Sequence, residues 1–275
     1  MARPLANPAR QQERAHRILD ATSELIQRFG YDKTTIDDIA RAAGVAKGTI
    51  YLHWNTRDAL FVALLRRERV HLLEDVRRGA PSTLYDLLHG LAAGLLRRPL
   101  MRASLLGDSA VLGKLTRHKR ESSATLPMGE LFETYIGTLR EHGALRADLT
   151  ISEHLTVFTS TLYGFLTVRR YLPDSMQVPD ERLAELLADT CRRALEADGA
   201  AHAGRRVGKS GGAADAGRRV GKSGGAADAG RRVGEPGGAA DAAVVAKATQ
   251  EYLDAAVAVA QNRLRASLGT KEYAT

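Results

Sequence analysis

Lys47, Gly48, Thr49, Tyr51, Leu52 and His53 crowd into one short run that carries an ammonium, two hydroxyls and an imidazole. On one face of a helix, such groups suit a surface of phosphates and base edges. Lys47 reaches a base acceptor or a phosphate, and Thr49 donates to a base edge or touches a thymine methyl. Tyr51 and His53, with Arg57 beyond them, hydrogen-bond phosphate oxygens and fix register. Gly48 has no side chain, so the backbone can approach a groove closely. Ala46 opens the run, where free backbone N–H groups and the positive end of a helix dipole would meet a phosphate. Thr35, upstream, donates to the phosphate of the flanking strand.

These residues need short helices to hold them. Ile18, Leu19, Leu25, Ile26 and Phe29 share one helical face, with Gly30 in place to end that helix. A second helix starts at Thr34 or Thr35, turns Ile36, Ile39, Ala40 and Ala43 inward and stops at Gly44. A third covers Lys47 to His53, and a fourth opens at Thr56 with Asp58 in its first turn. Gly44 permits the left-handed backbone of a helix-turn-helix corner, and Val45 drops between the two helices. The expected small core is Ile39, Ala40, Val45, Ile50 and Trp54 against Leu25 and Phe29. The fourth helix buries Leu60, Phe61, Leu64, Leu65, Leu72 and Leu73 and stops near Gly79 and Pro81. Further helices are expected at 82–97, 100–118, 126–142, 151–172, 179–198 and 243–268. The last has Val245, Tyr252, Ala256, Val259 and Leu264 near one face. No run of alternating polarity competes, so the fold class is all-α.

The stretch from Arg14 to Leu64 resembles the N-terminal domain of the TetR (tetracycline-repressor) family of transcriptional regulators. The residues that carry the likeness are Phe29-Gly30-Tyr31, Thr34-Thr35-Ile36, Ile39-Ala40, Ala43-Gly44-Val45, Lys47-Gly48-Thr49-Ile50-Tyr51 and Asp58-Ala59-Leu60. Ala46 stands where the family often has Ser, Trp54 where Phe is usual, and Arg57 where Lys is usual. The resemblance implies a three-helix DNA-binding head and a larger helical domain for effector binding and dimerisation. It implies a homodimer on an inverted-repeat, double-stranded DNA operator, with 151–172 and 179–198 as the dimer helices. A small-molecule effector would change the spacing of the two heads and release the DNA, as in a repressor. Candidates to line the effector site are Leu88, His89, Arg102, His118, Phe132, Tyr135, His154, Phe158 and Tyr163.

The bulk properties agree. The chain has 275 residues and a net charge of +8, half of it in residues 204–242. That segment is three copies of a thirteen-residue unit, GRRVGKSGGAADA twice and then GRRVGEPGGAADA, which together hold 12 of the 26 glycines. So little apolar surface cannot offset the entropy of ordering, so a flexible linker is expected, spanning roughly 35 Å as a Gly-rich coil. Expected domains are therefore 1–65, 66–200, the linker at 201–242 and an extra helix in 243–275. The GRRVGKS run lacks the first glycine of a phosphate-binding loop, because Ala203 and Ala216 occupy its place. The single cysteine, Cys191, allows no internal disulfide and suits a reducing cytoplasm. It is expected to be buried, and Arg169-Arg170 to be a solvated face. Neither a secretory signal nor an apolar run of about 18 residues is present, so no membrane association is expected. Metal-ligand spacing, nucleophile elbows and dinucleotide fingerprints are absent from the sequence, so neither a metal, a cofactor nor an enzyme activity is expected. The alternative reading is a basic, sequence-tolerant DNA-associating protein without an effector, its affinity supplied by the linker arginines.

Overall fold

The computed structural model describes residues 8–108, 126–197 and 240–268. Its helices are α1 (Pro8–Phe29), α2 (Ile36–Ala43), α3 (Lys47–His53), α4 (Arg57–Arg78), α5 (Leu84–Leu96), α6 (Pro99–Leu106), α7 (Leu126–Glu141), α8 (Ile151–Val168), α9 (Asp180–Leu195) and α10 (Ala240–Ser267). Among the described residues there is no strand, only an isolated bridge between Leu145 and Glu196. His118 and residues 198–239, which include most of the repeats and their GRRVGKS runs, lie outside the described residues.

The first three helices and the start of α4 enclose one core. Ile18 and Leu19 of α1, Ile39 of α2, Ile50 of α3 and Leu60 of α4 are fully buried in it. Thr35 caps α2 by accepting from the Asp38 N–H, and Gly44 ends it at φ 64°, so the chain turns into α3 within three residues. Gly30, at φ 79°, corrects one expectation. This left-handed residue reverses the chain, so Phe29 stays 46 % exposed and Tyr31 enters the core instead. The Tyr31 ring meets Phe61 edge-on, with centroids 4.5 Å apart.

Helix α4 runs out of this head into a second, larger core. Leu72 and Val76 join Leu84, Leu87 and Leu88 of α5, Ile136 and Leu139 of α7, and Leu187 and Cys191 of α9. The α5 start carries a reciprocal cap between Thr83 and Asp86, and the α8 start one between Thr150 and Glu153. The sequence suggested a helix continuing to 118, but α6 stops at Leu106 because Gly107 adopts φ 65°. Arg67 pins head to body: it is buried, donates to Asp20 Oδ1 at 2.7 Å, and donates to the His16 carbonyl at 3.3 Å. Arg169 also departs from the expected solvated face, since it pairs with Asp180. Cys191 is fully buried, and burial pushes its thiol up to about 11.

The long α10 lies along α4 and α7. Its buried stripe is Thr249, Leu253, Ala256, Ala260 and Leu264, spaced three or four apart as one helix face requires. Val245 and Val259 sit at the edge of that stripe rather than within it. Ala256 and Ala260 are small enough to let α10 pack closely on Val70 and Leu73 of α4.

Candidate nucleic-acid interface

Helix α3 is anchored by two residues and presents most of the rest. Ile50 and Trp54 are buried in the head, whereas Tyr51 is 43 % and Leu52 60 % exposed. Lys47 and Gly48 are exposed beside them, and Thr49 is half-buried. One periodicity fixes both faces: the residues that fill the core leave 47, 48, 51 and 52 on the opposite side. A Cβ built on Gly48 would meet nothing within 4 Å, so nothing in the head itself requires a glycine there.

Lys47 is not idle in the free protein. Its ammonium donates to Asp37 Oδ2 of α2 at 2.9 Å, and that bond holds its pKa above the ordinary value. Both partners are exposed, so phosphate or a base acceptor can replace the carboxylate at little cost. Ala46 begins α3 with no side-chain cap, and its carbonyl accepts from the Thr49 N–H at 2.8 Å. The Thr35 hydroxyl is exposed but engaged on Asp38 at 2.6 Å.

Two expected contacts have other work. The Arg57 guanidinium lies over the Tyr31 ring, 4.3 Å from its centroid, and donates to the Thr34 carbonyl at 3.2 Å. Tyr31 in turn donates to Asp58, and burial, reinforced by that carboxylate, pushes the phenol up to about 12. His53 is half-buried, 5.3 Å from the Trp54 ring. Burial holds its imidazole below the ordinary 6.5, with Arg14 adding to the effect and a hydrogen bond to the Leu268 backbone opposing it. His16 is lowered as well, by burial and then by Arg67.

A folded pKa below the ordinary value means that, in mild acid, the unfolded chain binds a proton the folded chain refuses. Stability is then highest above about pH 6.5 and falls as pH drops through the depressed folded values. The urea midpoint is expected to be lower at about pH 5.5 than at about pH 7.5, and His53→Gln to show a smaller drop. Equal drops in the two proteins would contradict this account of His53.

The residues suggested for an effector site divide. Phe132, Tyr135 and Phe158 come together, with Phe132 and Phe158 centroids 4.8 Å apart. His154 stands one turn before Phe158 on α8, fully buried, with Nδ1 2.9 Å from the Thr150 carbonyl and Nε2 without a partner. Leu88 is buried in the same core, and His89 stacks near Tyr85 and pairs with Glu181 at 3.6 Å. Arg102 is half-buried on α6, and Tyr163 donates to the Leu105 carbonyl at 3.0 Å, away from the aromatic group. Sequence reasoning missed Tyr252 of α10, whose ring is 5.1 Å from Tyr135 and 5.6 Å from Phe132. It was an isolated aromatic in an alanine-rich helix, and no local signal says where that helix docks.

Two short helices at a glycine corner, the second presenting a polar face, on an all-helical body define a helix-turn-helix transcriptional regulator. The family model described as "Bacterial regulatory proteins, tetR family" matches residues 18–64. The chain is 35% identical over 171 residues to the HTH-type transcriptional repressor KstR of Mycolicibacterium smegmatis, covering 60% of this chain and 82% of that protein. It is 27% identical over 188 residues to the uncharacterized HTH-type transcriptional regulator YvkB of Bacillus subtilis, covering 66% of this chain and 97% of that protein. In fold it is similar to SmeT, solved in complex with triclosan, with a TM-score of 0.52 at 20% identity over 68% of this chain and 93% of that one. The fatty acid degradation regulator FadR from Bacillus halodurans gives the same TM-score at 18% identity, over 68% and 96% of the two chains. The chain belongs to the TetR family of transcriptional regulators. Among the described residues, no helix is long and apolar enough to cross a membrane.

Proposed function

We propose that the protein is a homodimeric repressor that grips an inverted-repeat operator with α3 of each protomer and lets go when a small molecule binds its C-terminal domain. The observation that carries this reading is the division of α3, with Ile50 and Trp54 sunk in the head and Lys47, Gly48, Tyr51 and Leu52 facing out. In the complex Lys47 leaves Asp37 for a base acceptor or phosphate, and Thr49 meets a base edge. Tyr51 and Thr35 position the head on phosphate oxygens, Arg57 and His53 join them by exchanging their partners within the protein for phosphate, and the bare backbone at Ala46 and Gly48 allows close approach.

Residues 1–65 act as the head and 66–200 as the effector-binding and dimerisation domain. The segment 201–242 then links to the extra helix in 243–275. Helices α8 and α9 pair with those of the partner, which sets the two recognition helices about 34–36 Å apart, one turn of DNA. An apolar effector is received near Phe132, Tyr135 and Phe158, where the unpartnered Nε2 of buried His154 offers a hydrogen-bonding group. SmeT, a fold relative, is known with triclosan bound, and KstR is a repressor by name, both of which support this reading. Such a regulator works in the cytoplasm, beside the chromosome.

The test is selection of bound duplexes from a random pool, with Lys47→Ala beside the wild type. The wild type is expected to recover an inverted repeat, and Lys47→Ala to bind it more weakly by about 1–3 kcal/mol per half-site with unchanged thermal stability. Unrelated sequences recovered by both proteins would overturn the reading and point to attraction by the linker arginines.

A further inference from the structure

Helix α10 touches the effector end of the C-terminal domain and the foot of the recognition helix at once. At one end the Tyr135 hydroxyl lies 3.0 Å from Thr249 Oγ1, whose own hydrogen goes to the Val245 carbonyl, so Tyr135 is the donor. There Tyr252 closes the aromatic group of Phe132 and Tyr135, and Gln250 donates to the Pro81 carbonyl at 2.9 Å. At the other end the Trp54 indole N–H donates to the Ser267 carbonyl at 2.7 Å, and Leu268 packs against the head core. Between them α10 runs antiparallel to α4, with Asp254 near Arg77, Gln261 donating to Glu74 and Arg263 accepting from Arg66.

We propose that α10 is a detachable latch: Thr249 and Tyr252 sit in the place of an effector on Tyr135 and Phe132, and the same helix holds the head through Trp54. The proposal rests on the reading of α3 as the DNA contact and of the aromatic group as the effector site. A ligand that displaces Tyr252 has an apolar ring of phenol size and an oxygen to accept from Tyr135 in place of Thr249. Once that end lifts, the straight helix carries the motion to Ser267, about 22 Å away. The head then loses a support that α4 alone does not replace. Arg66 and Arg69 of α4 lie near Arg263 across the seam, and burial followed by the Arg263 charge lowers the pKa of both.

Trp54 is the only tryptophan in the chain, so its fluorescence reports the latch without any DNA. The experiment compares full-length wild type with Tyr252→Ala and Thr249→Val, the second changing shape little. Both variants are expected to shift Trp54 emission to the red, to admit acrylamide more readily, and to weaken operator binding about tenfold. Unchanged Trp54 emission in both variants would overturn the latch, and so would altered emission with wild-type operator affinity. Failure of the wild type to select any operator would instead sink the DNA reading. The link from Tyr252 to Trp54 would then be judged on fluorescence alone.

Discussion

Glutamate in place of Gly48 is expected to leave the fold intact and weaken operator binding roughly a thousandfold. The site is open in the free protein, since a Cβ there meets nothing within 4 Å, and the neighbours Lys47, Tyr51 and Leu52 are exposed. A side chain at 48 therefore clashes only with what α3 binds. Glycine inside a helix costs about 1 kcal/mol relative to alanine, so Gly48→Ala should raise the melting temperature. On DNA the same methyl group holds the backbone off the groove, and affinity should fall. Opposite signs for stability and binding separate a glycine kept for contact from one kept for folding. Glutamate adds a negative charge facing phosphates, and the proposed dimer would carry the change in both half-sites. A loss of about 2 kcal/mol per half-site then doubles to roughly a thousandfold in affinity. Anisotropy titrations at fixed salt, beside thermal melts, make the comparison. Wild-type affinity in Gly48→Glu would remove α3 from the interface.

Much of the head was legible in the sequence because its periodicity and its glycines agree. Ile18, Ile26, Ile39 and Ile50 were marked inward by spacing, and Gly44 marked the corner that the backbone takes at φ 64°. What failed there was side-chain direction just past a reversal. Phe29 carries the more apolar side chain, yet the left-handed Gly30 sends Tyr31 inward, where Asp58 satisfies its hydroxyl and Arg57 covers its face. Arg57 and His53 both looked like free phosphate ligands because their partners are distant in sequence or lie on other helices. The same limit hid where α10 docks. Alanine-rich sequence gives weak hydrophobic contrast, so the stripe was read through Val245 and Val259 when Thr249 and Leu253 are the buried positions. The Trp54–Ser267 hydrogen bond spans 213 positions in the sequence, and no local pattern encodes such a pairing.

Arginine in place of Gly164 is expected to make the protein monomeric, with a large loss of operator affinity and no loss of fold. Helix α8 is apolar in composition, yet among its residues only His154 and Leu166 are buried. Thr156, Ser160, Tyr163, Gly164 and Val168 are exposed on one side of it, with Tyr171 just beyond. Tyr163 is 38 %, Val168 41 % and Tyr171 74 % exposed in the single chain. Small residues flanked by larger apolar ones let a second helix approach closely. A Cβ at 164 meets nothing within 4 Å, so an arginine there is accommodated in one protomer and obstructs only a partner. Replacing a helical glycine also favours the helix by up to about 1 kcal/mol, so the protomer should keep its fold, while its melting temperature loses the concentration-dependent part that dimerisation supplies. Operator binding by two linked heads exceeds that of one by about 10²- to 10⁴-fold through effective concentration alone. Gly164→Arg should forfeit that factor on the full inverted repeat while keeping wild-type affinity per head on an isolated half-site. Light scattering at micromolar concentration reads the oligomeric state directly. A dimer of wild-type stability in Gly164→Arg would move the interface off α8, and a monomer that still binds the full repeat with wild-type affinity would show that one head suffices.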